Sequence, residues 1–561
     1  MARRIKRNDD SVIGIRMIFG YLFVFLAFIG GITLLPLVSL AIFRDEWQCF
    51  PAFVIPGGTA LLLGSILGPI LMKGRKKGKL EKFQDSVLLV SIWLLAVFVG
   101  AMPFFLADKV DFFSANNGNL SMNFSESFFE SMSGYSACGF TVMHGFLPNG
   151  NVAYSSFFDS ELSYCPHVFL FYRAVTQFFG GVGLVLVVAS AVSDRFGMQL
   201  FNTEGHNDRL LPNLAKTAKA TFGIYTLIIA LGTISMWLFG MNWFEALCHS
   251  IAGMATGGFS TRVNGFYNYT NPTPIFGVIN HVGIEITIDI IMILGATSFL
   301  LIYYALTAKW KKAFRDCELR LMGLLLGVTI LAGFYLIMTQ FEAVDTVGMN
   351  WKTALRYSSF QMISCLTTTG FGNAPSIVSL GRGAIFLSII LMLVGGGMGS
   401  TAGAIKQYRV VVAAKSLWWS IRYKFSPSRL TYPHYVVRAG KAVEVTDEMY
   451  KDNTLYIVLY LIVIGTVSFV MIFLRPYPGI AFTGSESLYL VASSLSGTGN
   501  TIVDFLGIRH AYIAVGGAGI WNYYVILWIM SLCMILGRLE ILPIYYAMRR
   551  NNRLILRRQI N

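Results

Sequence analysis

The chain has 561 residues, of which 55% are hydrophobic and only 13% charged, whereas soluble globular domains carry about a quarter charged residues. Apolar residues in that proportion, arriving in runs that fill a bilayer, specify a polytopic helical membrane protein and exclude disorder, a collagen repeat and a disulfide-stapled secreted scaffold. The formal charge of +15 alternates with the apolar runs instead of gathering on one face, so it reports membrane topology and anionic-lipid contact, not nucleic acid.

Ten spans of about 20 apolar residues are predicted, at 17–43, 51–72, 86–107, 167–193, 220–241, 282–307, 320–340, 383–414, 453–474 and 519–548. The tail with Arg3, Arg4, Lys6 and Arg7 precedes the first, which is too long for a signal-peptide core and lacks a cleavage pattern. With that tail inside, most Lys and Arg fall in 1–16, 73–82, 194–219, 308–320, 406–451 and the terminal MRRNNRLILRRQI. The positive-inside rule then places both termini in the cytoplasm of a plasma membrane. Acidic residues outnumber basic ones on the outer side, which favours cations there.

Between spans, on the outer side, lie four half-apolar segments too short to cross. They end at Gly139 in NFSESFFESMSGYSACGF, Gly258 in NWFEALCHSIAGMATGGF, Gly370 in KTALRYSSFQMISCLTTTGF and Gly499 in TGSESLYLVASSLSGTGN. The glycines recur every 110 to 130 residues or so, the signature of an internal repeat of span, half-span and span. The chain accordingly divides into 1–80 with two extra spans, 81–200, 201–315 and 316–414 as repeats one to three, a basic linker 415–452, and 453–561 as repeat four with a basic tail. The pore loops are 123–142, 242–262, 350–374 and 483–502.

Each half-span reads as a short helix stopping at its glycine. Asn123 with Glu126, Asn242 with Glu245 and Thr483 with Glu486 have the spacing of a capping box. The third repeat departs, with Arg356 and Tyr357 there instead. A helix running inward from such a cap aims its negative dipole end at the membrane centre and attracts a cation. The residues that follow, including Cys138, Gly139, Gly257, Gly258, Thr369, Gly370, Thr498 and Gly499, return as extended chain. Irregular backbone at that depth survives only around a cavity, and four such strands offer a ring of carbonyls that replaces a cation's hydration shell. Re-entrant loops with simple Gly turns are the plainer alternative.

The span after the third glycine contains Gly395, Gly396, Gly397, Gly399 and Gly403 around Ser400 and Thr401. Each Gly inside a helix costs about 1 kcal/mol relative to Ala, so residues 395–403 are predicted to unwind into a loop; close packing of small residues is the other reading. Arg538, in CMILGRLEILP, is costly at membrane depth; it is expected either to face the loop and form a gate with it, holding its carbonyls or repelling a passing cation, or to snorkel to the headgroups. Arg173, Glu285 and Asp289 are expected to form ion pairs or line a vestibule. The seven Cys show no CxxC, the seven His no i, i+4 pair, and no Walker A or GxSxG occurs. A membrane enzyme is therefore disfavoured, no organic cofactor is expected in this chain, and any nucleotide effect must come from a partner.

The four glycine segments, TQFFGGVGL (176–184), GGGMGSTAGAIK (395–406) and ILGRLEILP (535–543) resemble the Trk/Ktr/HKT superfamily of potassium transporters, the Trk branch in particular, from about residue 86 to the C-terminus. The resemblance implies an all-α pore of four pseudo-symmetric repeats in one chain, K+ as the transported and filter-bound ion, and a homodimer of pores. It also implies a cytoplasmic nucleotide-binding ring of the RCK/KTN type. By resemblance that ring docks on the loop 407–452, which carries Arg409, Lys415, Arg422, Lys424, Arg429, Arg438, Lys441 and Lys451. Relatives with Ser at the first glycine position tend toward sodium, so Gly at all four favours potassium, while Asn500 replaces the Phe of the other repeats. A sodium-conducting or Na+/H+-coupled transporter of the same fold is the alternative function.

Overall fold

A computed structural model describes residues 2–73, 84–107, 122–143, 165–183, 214–262, 265–267, 279–341, 350–425, 434–541 and 544. The basic stretches 74–82 and 194–213, Arg429, the end of the predicted span 167–193 and the basic C-terminal tail lie outside these residues. The regular secondary structure of the described residues is helical apart from one antiparallel hairpin, Tyr435–Arg438 with Lys441–Glu444. Seven of its helices are long and apolar enough to cross a membrane, and the protein is a polytopic all-α membrane protein.

The first two long helices, Ala2–Leu34 and Phe50–Met72, form a hairpin. Small residues let them approach closely: a Cβ on Gly64 would collide with the backbone of Phe23 and Ala27. This hairpin packs on Gln84–Ala107, the first span of the repeats.

Two predicted spans are broken, for one physical reason. The span expected at 282–307 is His281–Ala296 and Phe299–Leu306, bent by 112°. The one expected at 383–414 is Arg382–Val394, then non-helical chain to Lys406, then Gln407–Lys424. The breaks satisfy each other: Gly397 and Thr401 amides donate to the Ala296 and Gly295 carbonyls (2.9 and 3.1 Å), and Phe299 N donates to Gly399 O (3.2 Å). Freed backbone groups are thus paired within the protein, as membrane depth demands.

Four short helices, Phe124–Tyr135, Trp243–Met254, Trp351–Leu366 and Gly484–Ser496, enter from one side, here called the cap face. At 1.5 Å per residue the 12-residue ones reach about 18 Å, little over half a bilayer core. Capping boxes form at Asn123/Glu126 and Thr483/Glu486. The expected box at Asn242/Glu245 does not: Asn242 accepts from Phe244 N, and Glu245 turns to Arg262 (3.2 Å). The third helix starts earlier, capped by Asn350, whose side chain accepts from Lys352 N. Its Arg356 pairs with Glu285 at 2.6 Å. Asp289 stays out of that pair, its Oδ1 buried without a hydrogen-bond partner among the described residues.

The circle of repeats closes where the first short helix meets the last repeat. Glu126 is fully buried and receives Tyr523 OH (3.1 Å) and Arg509 Nε (3.0 Å), besides capping its own helix. Asn123 Nδ2 donates to Tyr524 OH (2.8 Å), and the rings of Phe128 and Trp528 stack at 4.7 Å. Removing one partner of a buried ion pair costs about 3–5 kcal/mol. Glu126→Ala is therefore expected to lower the thermal midpoint in detergent well below that of the exposed-cap variant Thr483→Ala, which loses about 1 kcal/mol; equal midpoints would show that the seam carries no weight.

Candidate functional site

The four short helices stop in the same way. Two residues before each glycine the backbone is left-handed: Ala137 (φ 53°), Thr256 (50°), Thr368 (55°) and Gly497 (73°). The next amide, of Cys138, Gly257, Thr369 or Thr498, then reaches back five residues to a helix carbonyl at 2.8–2.9 Å. This closes the helix end and turns the chain outward.

Beyond the turn, the glycines interlock in a ring. Gly258 (φ 73°) lies against the Thr369 carbonyl, Gly370 (φ 87°) against the Thr498 carbonyl, and Gly499 (φ 81°) against the backbone of Gly139. Gly139 completes the circle, with its Cβ position 3.2 Å from Gly257 O. Any side chain at the first three would be strained by its backbone angle and would overlap the next repeat. Gly139 has an ordinary φ and more room.

The eight residues predicted to line this ring divide into two groups. The carbonyls of Gly139, Gly258, Thr369, Gly370, Thr498 and Gly499 accept no hydrogen bond among the described residues, although Gly258, Thr369, Thr498 and Gly499 are buried. Buried carbonyls are nearly always paired, so this cluster is suited to receive a cation. Cys138 O and Gly257 O, in contrast, accept from Gln177 Nε2 (3.3 and 2.6 Å), and Cys138 O also from Ser133 Oγ (2.5 Å). Ser364 and Ser493 support the third and fourth loops through Phe371 O and Asn500 O, both at 2.7 Å. The Asn500 side chain contacts Cys365 Sγ (3.6 Å) in the third repeat.

A buried strap joins the first two loops. Arg173 Nε meets Glu130 Oε1 at 2.8 Å, Arg173 Nη1 donates to Ser260 O (2.8 Å), and its guanidinium sits 4.1 Å from the Phe259 ring. Glu130 in turn accepts from Val142 N (2.9 Å) and Thr141 Oγ1. Arg173 is thus an ion-pair residue, and Glu130 and Gln177 are participants that sequence reasoning missed. Their spacing held the signal: Gln177 is one turn from Arg173, and Glu130 one turn from Glu126.

Beneath the ring, the residues predicted as a gate come together. Gly395 (φ 70°) ends one helix, and the chain runs on through Gly396, Gly397, Gly399 (φ 74°), Ser400, Thr401 and Gly403 without helical bonding. Thr401 Oγ1 donates to Met254 O and Gly295 O (3.0 and 2.9 Å), Ser400 Oγ to Gly397 O (2.6 Å), and Thr368 Oγ1 accepts from Gly403 N (2.9 Å). Arg538 donates to Thr401 O (3.3 Å) and to the carbonyls of Gly180 and Gly181 in the first repeat. It faces the loop, not the headgroups. Glu540 turns away to Arg409 (2.6 Å). A cavity of about 40 Å3, bounded by Ser136, Thr401, Lys406, Ser496, Gly497 and Arg538 among others, has room for a few waters. Lys406, which donates to Ala402 O, is a second cation that the sequence reading passed over.

The basic linker is less uniform than its composition implied. Arg409 is tied to Glu540 and lies 3.9 Å from the Tyr456 ring, and Arg438 stacks on Tyr408 at 4.5 Å. Lys415 is half-buried and donates to Tyr435 O (3.4 Å), while Arg422, Lys424, Lys441 and Lys451 are exposed.

Comparison with known proteins agrees with this architecture. Residues 107–499 match the TrkH family, described as cation transport protein. An uncharacterized cation transporter of Methanocaldococcus jannaschii is 28% identical over 92% of this chain and 91% of its own length. The Trk system potassium uptake protein TrkH of Halomonas elongata is 27% identical over 92% and 94%, and that of Salmonella typhimurium 28% over 69% and 72%. The crystal structure of the potassium transporter TrkH from Vibrio parahaemolyticus shares the fold, with a TM-score of 0.70 at 21% identity, covering 95% of this chain and 98% of that one. The match contains all four loop glycines, the last at its end, and with it the chain belongs to the TrkH family of cation transport proteins, a transporter of the Trk branch and not an enzyme.

Proposed function

We propose that this protein conducts potassium into the cell through the ring of glycine-loop carbonyls. The observation that carries the reading is the set of six glycine-loop carbonyls that accept no hydrogen bond among the described residues. Oxygens of this kind replace the water shell of a weakly hydrated cation, and relatives of similar length are named potassium uptake proteins. Two half-helix ends, closed by Ala137 and Gly497, border the cavity below and add negative potential there. On this reading Gly139, Gly258, Gly370 and Gly499 shape the filter, while Gln177 keeps the first two loops from collapsing inward.

The loop 395–403 and Arg538 serve as the gate: they occupy the path beneath the filter, and a guanidinium there opposes a passing cation. The cap face is outside and the basic face cytoplasmic, in the plasma membrane, consistent with the charge distribution. The division into repeats, linker and tails stated from the sequence belongs to the same proposal. Family resemblance adds a second copy of the chain and a nucleotide-binding ring, for which exposed Arg422, Lys424, Lys441 and Lys451 offer contacts.

Rubidium and sodium uptake into proteoliposomes under crossed potassium, sodium and proton gradients tests the reading. Rubidium flux blocked by external potassium but not by sodium is expected; equal sodium flux would replace it with the sodium-conducting alternative. Gln177→Leu keeps the volume but strips partners from Gly257 O and Phe259 N. Unpairing such groups costs about 1–3 kcal/mol, so the potassium-over-sodium preference should fall by about tenfold. An unchanged preference in the leucine variant would remove Gln177 from the filter's support.

A further inference from the structure

The basic-face hairpin is fastened to the intramembrane loop by two separate routes. One is polar. At the hairpin tip, Ala439 (φ 49°) and Gly440 (φ 76°) form a two-residue turn between the paired residues Arg438 and Lys441, the left-handed pair that tight hairpins use. Ala439 N donates to Asp316 Oδ2 at 2.7 Å. The other oxygen of the same carboxylate, Oδ1, accepts from Glu318 N at 2.8 Å and so caps the helix Cys317–Gln340. Glu318 Oε1 in turn accepts from Met398 N at 3.0 Å, in the middle of the loop, and Glu318 Oε2 lies 3.1 Å from the Cβ position of Gly397. Both carboxylates are buried, Asp316 to 1% and Glu318 to 4% exposure.

The second route is apolar. Val436 and Val445, both at the open end of the hairpin away from its tip, pack in one small core with Tyr408, Val412 and Met398. Met398 is therefore gripped twice, by its amide through Glu318 and by its side chain through the hairpin. A buried carboxylate in a membrane protein is expensive. Two in succession, each spanning two elements, mark a junction held in one geometry.

We propose that Asp316 and Glu318 are positioning residues that couple the hairpin to the loop, so that displacing the hairpin on the basic face draws Met398 and the loop out from beneath the filter. The inference rests on reading that loop as the gate. Hairpin and loop are linked through Asp316, Glu318 and Met398, none of which borders the cavity beneath the ring, so force applied by a cytoplasmic partner on the exposed hairpin reaches the gate without passing through the filter.

The test uses the full chain in liposomes with no partner present and two readouts. The first is rubidium flux. The second is the rate at which a cysteine introduced by Ala402→Cys reacts with a membrane-impermeant thiol reagent from the basic face, above the rate of the parent protein. Glu318→Ala removes the acceptor for Met398, and Asp316→Ala frees the hairpin tip; a lost hydrogen bond to a charged group predicts about tenfold faster labelling in each. Glu318→Gln keeps an oxygen for Met398 N and is expected to stay slow. The pair Val436→Ala with Val445→Ala unseats the hairpin without touching either carboxylate and should speed labelling as well, which keeps the test available if an alanine variant at 316 or 318 fails to assemble. Slow labelling in both Asp316→Ala and the double-valine variant would overturn the coupling. Fast labelling with unchanged rubidium flux would uphold the coupling and overturn the gate reading instead.

Discussion

Gly370→Ser is expected to abolish rubidium uptake, whereas Gly139→Ser should keep a measurable flux with a weakened preference for potassium over sodium. The four glycines are equivalent in sequence but not in geometry. Gly370 sits at φ 87°, and its Cβ would overlap the Thr498 carbonyl. The backbone angle alone costs a non-glycine residue about 1–2 kcal/mol, and relieving the overlap requires moving a neighbouring repeat whose own glycine is packed against the first. The disturbance travels round the ring. Gly258→Ser and Gly499→Ser meet the same two obstacles and should fall with Gly370→Ser. Gly139 has no left-handed angle and a nearest approach of 3.2 Å, so its neighbour needs to shift by only a few tenths of an ångström. Uptake by monodisperse protein in liposomes, with potassium and sodium as competitors, decides the matter. Indistinguishable losses at positions 139 and 370 would show that the interlocked ring does not set conduction.

Arg538→Ala should raise basal flux by roughly tenfold or more without altering ion preference. The guanidinium joins Thr401 O in the loop to the carbonyls of Gly180 and Gly181 in the first repeat. Hydrogen bonds to a charged group contribute about 1.5–3 kcal/mol each, enough to move a closed-to-open equilibrium by that factor. A point substitution is the cleaner probe here than a deletion within Gly397–Gly403. Deletion would also unpair the carbonyls of Gly295 and Ala296, where the bent span is held, and would confuse opening with damage. Arg538→Lys keeps the charge but not the fork of donors and should lie between. Loss of flux in a properly inserted Arg538→Ala protein would assign the arginine to conduction.

Much of this architecture is legible in the residues because it repeats. A single TGF carries no information, but four glycines in register, three of them preceded by a capping signal, place the four short helices and the turns that end them. The glycine cluster at 395–403 is legible for the same elementary reason, its cost in a helix. The break at Thr297 and Ser298 is not, because nothing local demands it: that bend exists to pair with the loop, a contact between residues about a hundred positions apart. The second and third helix starts mislead in a related way. Glu245 has the spacing of a capping residue, yet Arg262, brought close by the fold, takes its carboxylate. Gln177, Glu130, Lys406 and Glu318 each look like ordinary polar residues near a span end, and only tertiary neighbours give them a part in the site.

The seam between Glu126 and the last repeat has a consequence in time. Its partners Tyr523 and Tyr524 lie 397 and 401 residues downstream of Glu126 and Asn123. At about 5–20 residues per second of synthesis, the first short helix waits roughly 20–80 s with a carboxylate, an asparagine and an aromatic face whose partners have not been made. During that interval the growing chain must keep this helix from settling elsewhere in the insertion machinery or against lipid. Contacts available early, the strap from Glu130 to Arg173 among them, hold it near its final place. The circle of short helices closes only in the last moments of translation, and a ribosome stalled before residue 523 would leave all four short helices made but the seam to Glu126 open.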